Sequence, residues 1–246
     1  MTTKFLVSDF YYLNLSMNSF AHPCDLIHKK ILQACERAQR NFGSVKLLAV
    51  SKSQSSEAIR QVYSLGCLDF GENYVQEWVE KQNQLKDLAF NWHFIGHLQS
   101  NKVKKVVGHC NLIHSVDSLA LACAIDRQAE TLRVCQPILL QLNLGEEVQK
   151  WGYALKTYQQ EKGSLAKLEH LQIQGFMLIP ALSEDPEKTR PFFRQLKCLL
   201  DEANQNNDFP IPLTELSMGM SHDFEIAIEE GATWVRLGTA LFGART

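Results

Sequence analysis

The sequence predicts an α/β protein built as a single (β/α)8 TIM barrel. Eight short apolar runs alternate with amphipathic segments along most of the 246 residues. The runs are continuously apolar rather than alternating, which is typical of parallel strands that are covered on both faces. Strand–helix repetition of this kind indicates a parallel sheet, and eight units favour a closed barrel over an open doubly wound sheet.

The elements follow one another without an internal repeat or a low-complexity linker. The first helix is predicted within residues 25–43, where Ile27, Ile31, Ala34 and Ala38 recur at helical spacing and Gly43 can end the helix. The polar stretch 203–212 is a predicted loop. The eight predicted strands are 46–50, 67–71, 92–96, 111–116, 137–143, 173–179, 215–219 and 233–238, and further helices are predicted within 56–66, 75–85, 118–132, 190–204 and 224–232.

Composition excludes several classes of protein. The formal net charge of −2 removes the bulk electrostatic argument for nucleic-acid binding. No apolar run approaches the roughly 20 residues of a transmembrane helix, and residues 1–20 do not resemble a signal peptide. Seven cysteines, an odd number, occur without a CxxC pair, so we expect a reduced, cytoplasmic protein without a membrane partner.

Residues 1–20 are predicted to be a flexible N-terminal extension, and residues 21–246 are predicted to form the barrel.

The carboxyl ends of the strands carry the chemistry of such barrels. Lys52 is the most informative residue there, because it ends the apolar segment LLAVSK. A partly desolvated lysine has a lowered pKa and can act as a Schiff-base nucleophile, although a solvated lysine at a loop start fits the same position. The other strand ends hold Glu72, Asn73, Gly96, His97, Ser115, Asp117, Asn143, Met177, the segment 217–221 and the segment 236–239.

Two segments near the C-terminus are suited to an anion. In LSMGMSHDFEIAIEEG, Gly219 can let the backbone approach a ligand, and Ser221 opens a helix, where either it or Asp223 can also serve as an ordinary N-cap. Gly238 and Thr239 offer a second such site. Two anion-suited segments facing a lysine indicate pyridoxal phosphate.

Other polar residues leave alternatives open. Arg236 lies within an apolar strand, so it has either a carboxylate partner or a ligand to bind. Glu72 is either a general base or an acid near a helix start, and Asn73 can hold a ligand hydroxyl. The His109, Cys110 and His114 cluster matches no zinc pattern, so no metal site is expected.

Five motifs together resemble the pyridoxal phosphate homeostasis protein family. They are LLAVSK, FGENYVQE, WHFIGHLQSNK, GFMLIP and LSMGMSHDFEIAIEEGATWVRLGTALFG. The resemblance covers the chain from about residue 25 to its end. The resemblance implies a barrel like the N-terminal domain of alanine racemase, which carries pyridoxal 5′-phosphate as a lysine aldimine. It also implies a role in vitamin B6 homeostasis, by buffering or delivering the cofactor, without an established turnover.

The resemblance also implies roles for single residues. Lys52 matches the aldimine lysine, Asn73 the asparagine near the ring, and Arg236 the arginine that faces the pyridine nitrogen. The phosphate side is implied for Ser217, Met218, Ser221, Gly238 and Thr239. The sequence departs from the family after the lysine, where SKSQSS lacks the usual proline; the loop after the first strand is therefore expected to be less constrained.

We therefore expect a cytoplasmic, monomeric pyridoxal phosphate-binding barrel rather than an enzyme, with apo-enzymes as candidate recipients of the cofactor. The first alternative is an amino-acid racemase. That reaction needs a second acid/base group, which alanine racemases take from a second domain, and the chain ends at Thr246, so no second domain is expected. The second alternative is a non-enzymatic regulator that acts through a partner protein.

Overall fold

The computed structural model describes residues 23–145, 151–181 and 183–243, and it contains the predicted barrel. Eight parallel strands follow the order β4-β3-β2-β1-β9-β8-β7-β5, and pairing of β4 with β5 closes the ring. The strands are β1 Lys46–Val50, β2 Asp69–Glu72, β3 Asn91–Phe94, β4 Leu112–Val116, β5 Gln136–Asn143, β6 Tyr153–Ala154, β7 Leu171–Leu178, β8 Glu215–Met220 and β9 Trp234–Leu237. The two-residue strand β6, which the sequence did not predict, adds to the end of β5 outside the ring.

Helices lie between the strands, close to their predicted positions. They are α1 Pro23–Arg37, α2 Ser56–Ser64, α3 Val75–Gln84, α4 Val103–Val106, α5 Leu119–Leu132, α6 Leu155–Leu165, α7 Arg190–Gln205, α8 Phe224–Glu229 and α9 Thr239–Phe242. The predicted first helix is too long: it ends at Arg37, because Gln39 takes a left-handed φ of 53°. The predicted loop 203–212 begins too early, since α7 continues to Gln205.

Two helices gave no usable sequence signal. Helix α4 has only four residues, too few for a periodic pattern. Helix α6 buries only Tyr158 and Leu165 among its eleven residues, so its apolar stripe is too sparse to be recognised. The proposed N-terminal extension, residues 1–20, lies outside the described residues, and the domain boundary at residue 20 stays a prediction.

Helix α1 packs against α8 on the outside of the barrel. Arg37 contributes to this contact through ion pairs of 2.6 Å with Glu229 and 3.0 Å with Glu225. The inward face of α1 is buried through Cys24, Ile27, Ile31, Ala34 and Cys35. These apolar residues contribute more to the docking of α1 than partly exposed ion pairs do, because such pairs are worth about 0–1 kcal/mol.

The apolar core has two shells. The larger shell fills the space between the strands and the helices. The smaller shell fills the inside of the barrel with Leu48, Ile95, Leu112, Leu139, Met177 and Trp234. Because the interior is packed with side chains, a ligand has access only at the ends of the strands. Among the described residues, no helix combines the length and the apolar character that a bilayer-spanning segment needs.

Candidate functional site

Five of the predicted site residues are partly or fully exposed, and all five follow the carboxyl ends of strands. Lys52 follows β1, Asn73 follows β2, Ser221 follows β8, and Gly238 and Thr239 follow β9. Strands β2, β1, β9 and β8 are consecutive neighbours in the barrel. The structure therefore gathers these residues on one side of the barrel mouth, although 169 positions separate Lys52 from Ser221 in the sequence.

The loop that carries Lys52 is held by hydrogen bonds on both sides of the lysine. Before it, the buried Ser51 donates from Oγ to Glu72 Oε1 at 2.7 Å. After it, Ser53 takes a left-handed φ of 60° and its main-chain N–H donates to Glu77 Oε1. A non-glycine residue in that conformation is strained by about 1–2 kcal/mol. From the missing proline we expected this loop to be less constrained. The structure shows instead that these contacts hold it in place.

A buried ion cluster lies beneath this loop. Lys81 Nζ donates to Ser51 O at 2.6 Å, and to Glu72 Oε1 and Glu77 Oε1 at 2.7 Å each. Glu72 has no accessible surface, and its burial raises the pKa of its carboxyl, an effect that Lys81 opposes. Glu72 is therefore neither a general base that reaches a substrate nor a helix-start acid, the two alternatives that the sequence left open; it anchors the loop.

Asn73 is held close to the neighbouring strand end. A Cβ atom on Gly96 would lie 2.0 Å from the main-chain oxygen of Asn73, so this approach requires glycine. Ser115 Oγ donates to Gly96 O and fixes the same turn. The side-chain Oδ1 of Asn73 is buried and has no hydrogen-bond partner among the described residues. An unpaired buried acceptor is unfavourable unless a donor from a ligand or water completes it.

Three further predicted site residues lie below the mouth. Ser217 and Met218 have no accessible surface, and Met218 packs in the outer apolar shell. In this conformation a ligand would touch neither side chain, in contrast to the phosphate contact that the resemblance implies. Arg236 retains only 3% exposure.

The Arg236 guanidinium has neutral acceptors. Its Nη1 donates to Ser217 Oγ at 2.8 Å and its Nη2 to Leu178 O at 2.9 Å. Within the described part of the chain no carboxylate forms an ion pair with it, so the structure gives the carboxylate alternative from the sequence no support. Burial lowers the pKa of Arg236 to about 10, with Asp223 opposing the shift. The group therefore stays protonated at neutral pH and offers only donors.

The turn after β8 is closed by a side chain rather than by a helix cap. Asp223 Oδ1 accepts from the Met220 N–H at 2.7 Å. Asp223 occupies the position before α8 but makes no capping bond to the helix. Neither Ser221 nor Asp223 therefore acts as the ordinary N-cap that the sequence allowed, and Ser221 remains partly exposed at the turn.

The presence of glycine has a different structural explanation at each of two site positions. Gly219 takes a φ of +89°, and a Cβ there would lie 2.5 Å from Ala227 Cβ. The fold itself therefore requires this glycine, and approach of a ligand is not needed to explain it. A Cβ on Gly238 would come no closer than 3.6 Å to Val50, and its φ of −111° is ordinary. The space at Gly238 is therefore left open at the mouth, where a ligand can use it.

This difference predicts opposite effects of alanine. Gly219→Ala is expected to lower the free energy of unfolding by about 1–3 kcal/mol, because it adds both backbone strain and a clash. Gly238→Ala is expected to leave the unfolding free energy nearly unchanged and to weaken binding of a phosphate-bearing ligand. Urea unfolding and a binding titration on both variants measure the two quantities. Equal destabilisation by both variants would contradict this interpretation.

An aromatic stack at the mouth was missed by the sequence interpretation. The His97 ring lies parallel to Trp151, with centroids 3.6 Å apart, and His97 Nδ1 is 3.2 Å from Asp117 Oδ2. His97 and Asp117 were identified as strand-end residues, but nothing in the sequence marks Trp151 as their neighbour. The described residues contain no group of three or more potential metal ligands.

Comparisons with known proteins agree with this architecture. The family model of the alanine racemase N-terminal domain matches residues 27–246. A pyridoxal phosphate homeostasis protein of Aquifex aeolicus is 45% identical over 217 residues, covering 88% of this chain and 94% of the relative. One of Pseudomonas aeruginosa is 40% identical over 233 residues, covering 93% and 97%.

A solved structure of PipY from Synechococcus elongatus, with PLP bound, is also similar. It is 42% identical, has a TM-score of 0.78, and covers 88% of this chain and 100% of its own. Identity of this level over nearly the whole length of these relatives goes beyond a shared fold. The chain therefore belongs to the alanine racemase N-terminal-domain family and, within it, to the pyridoxal phosphate homeostasis proteins.

Proposed function

We propose that this chain binds pyridoxal 5′-phosphate covalently through Lys52 and takes part in the intracellular homeostasis of that cofactor. The observation that carries the proposal is the convergence of Lys52, Asn73, Ser221 and the Gly238–Thr239 pair at four neighbouring strand ends, above the buried Arg236. The names of the relatives and the PLP bound in PipY support the same conclusion.

Each residue contributes a distinct interaction. When bound, the cofactor supplies an aldehyde for a primary amine and a pyridine ring that can withdraw electrons. Lys52 would provide the amine, and the unpaired Oδ1 of Asn73 would accept from the ring hydroxyl. Ser221, Thr239 and the open backbone at Gly238 bind the phosphate. Arg236 would be the donor to the pyridine nitrogen.

Arg236 is also the reason to expect little catalysis. Because a protonated guanidinium only donates hydrogen bonds, a pyridine nitrogen that faces it must accept and therefore stays unprotonated. An unprotonated ring is a weak electron sink, and removal of a Cα proton from an amino acid depends on that sink. Lys52 then serves to hold the cofactor, which the protein can later release to an apo-enzyme.

Exchange of the Cα proton distinguishes this role from that of a racemase. With L-alanine in D2O, the loaded protein is expected to exchange the proton slowly or not at all and to leave the enantiomer ratio unchanged. Nuclear magnetic resonance of the alanine and chiral chromatography measure the two outcomes. An alanine racemase is the positive control. Exchange with racemisation at roughly 1–10³ s⁻¹, the ordinary range of enzymes, would establish the racemase instead.

We further propose that the chain acts as a cytoplasmic monomer. The scattered cysteines support the compartment: the four most buried, Cys24, Cys35, Cys67 and Cys110, form no disulfide within the described part of the chain, and burial raises the pKa of each thiol. Thiols of this kind are unreactive and fit a reducing compartment.

A regulator that acts through a partner protein would keep its effect in a Lys52→Ala variant. A protein that holds and delivers the cofactor would lose its effect in that variant, so the variant distinguishes the two roles.

A further inference from the structure

A row of hydrogen-bonded side chains crosses the inside of the barrel. Arg236 Nη1 donates to Ser217 Oγ at 2.8 Å, and His114 Nδ1 lies 2.8 Å from the same oxygen. His114 Nε2 lies 3.0 Å from His93 Nδ1, and His93 Nε2 lies 3.0 Å from Asp69 Oδ1. We call these five residues the interior chain. Its members come from strands β9, β8, β4, β3 and β2.

The interior chain joins the two ends of the barrel. At its upper end, Arg236 also donates to the oxygen of Leu178, the last residue of β7. At its lower end, Asp69 is the first residue of β2, and its side chain is 23% exposed. The three residues between them are buried. The chain therefore runs from beneath the proposed cofactor site to the opposite, amino-terminal face.

The hydrogen-bond direction can be assigned from both ends. Asp69 Oδ1 already accepts from Asn91 Nδ2 at 2.9 Å, so it is an acceptor, and His93 Nε2 donates to it. At the other end, Arg236 has only donors, so Ser217 Oγ accepts from it. The single hydroxyl proton of Ser217 is then available for His114 Nδ1.

Each link between the ends holds one proton. Because His93 donates from Nε2, its Nδ1 accepts from His114 Nε2–H when the ring is neutral, and His114 Nδ1 accepts from Ser217. If both rings carried a charge, two N–H groups would face each other. An extra proton on His93 alone would make His114 Nε2 accept, so that His114 Nδ1–H would become a second donor aimed at Ser217 Oγ. Burial, the largest cause, and the positive charges of Arg236 and Lys46 lower the pKa of His114 well below 6.5. All four donors therefore point from Arg236 towards Asp69.

We propose that His114 and His93, as neutral imidazoles protonated at Nε2, are positioning residues that orient the Ser217 hydroxyl and thereby fix the Arg236 guanidinium beneath the barrel mouth. The opposite His114 tautomer would direct two donors at Ser217 Oγ and leave the serine proton in the apolar interior, which is unfavourable. This inference rests on the proposed function in one respect: Arg236 is the group assigned to the pyridine nitrogen.

The first experiment needs no cofactor. In the full-length chain labelled with ¹⁵N-histidine, ¹H–¹⁵N correlation spectra are expected to show two neutral rings protonated at Nε2 at pH 7. The variants His93→Gln and His114→Gln assign them by loss of one ring signal each. Ser217→Ala removes one oxygen only and is expected to change the Nδ1 signal of His114. An imidazolium or an Nδ1–H tautomer at His114 would overturn the proposal.

The second experiment uses the loaded protein and tests positioning. In Ser217→Ala and in His114→Gln, the pH midpoint of the cofactor's absorption band is expected to shift on the order of one unit. Arg236→Lys should shift this midpoint in the same direction. In each variant a hydrogen bond of the residue at position 236 is lost or misdirected. Leu139→Met, a volume-conserving change in the same interior shell, is expected to leave the midpoint unchanged. Wild-type midpoints in both chain variants would overturn the positioning role. Failure of the wild type to bind the cofactor would instead contradict the proposed function, while the first experiment still decides the tautomers.

Discussion

Replacing Lys52 with alanine is expected to abolish the covalent adduct that borohydride reduction traps between the chain and pyridoxal phosphate. The reduced bond forms only at the amine that holds the cofactor, and Lys52 is the lysine at the strand end beside Asn73 and Gly238. Its partly exposed position predicts little effect on stability, within about 0.5 kcal/mol. Mass spectrometry of the reduced, digested protein measures the adduct, and thermal unfolding measures the stability.

Lys104→Ala is the control for this experiment. Lys104 is exposed on α4 and has no place in the proposed site, so its removal should leave the adduct and the melting temperature unchanged. An adduct that persists on another lysine in the Lys52→Ala variant would show that the cofactor attaches elsewhere.

Replacing Lys81 with methionine is expected to lower the free energy of unfolding by about 3–5 kcal/mol, because removal of one partner leaves buried charge without compensation. Glu72 has no exposed side-chain surface, and Lys81 is its ion-pair partner at 2.7 Å. The same change removes the bond from Lys81 to Ser51 O. The loop that carries Lys52 should therefore also lose order, and covalent loading of the cofactor should become slower. Urea unfolding and the rate of absorbance change measure the two effects.

The chain contains a matched control for this variant. Lys197 and Asp201 form an ion pair with the same i,i+4 spacing as Glu77 and Lys81, but their side chains are 42% and 47% exposed. Lys197→Met is expected to change stability by less than about 1 kcal/mol. The double variant Glu72→Gln/Lys81→Met should recover part of the lost stability. Equal losses in the two single lysine variants would show that burial does not determine the strength of the Lys81 cluster.

Strand and helix positions were largely predictable from local patterns. The eight apolar runs coincide with eight barrel strands, and Lys52 lies immediately beyond β1 as expected, because a buried strand must end where the chain returns to solvent. The errors occur where local signals are weak or are overridden. The first helix stops at Arg37 because Gln39 turns left-handed, and α4 is too short to show a period.

The accessibility of site residues was not predictable. In a strand covered on both faces, every position is apolar or small, so the alternation between inside and outside leaves no trace in the sequence. The resemblance implied the phosphate side for both Ser217 and Met218, whereas the structure buries Ser217 inside the barrel and Met218 in the outer shell. That this segment binds the phosphate stays a prediction; the structure adds the direction of each side chain, which the resemblance does not give.

The sequence by itself determined the fold class, the family and the segments that form the barrel mouth, since all three depend on local composition and motif. Only the tertiary structure decided which distant residues meet. Closure of the barrel through β4 and β5 brings His114 to Ser217, 103 positions later. The pairing of β1 with β2 sets Ser51 against Glu72. Such contacts depend on strand order and register, which arise from the packing of the whole chain and are not encoded in any single segment.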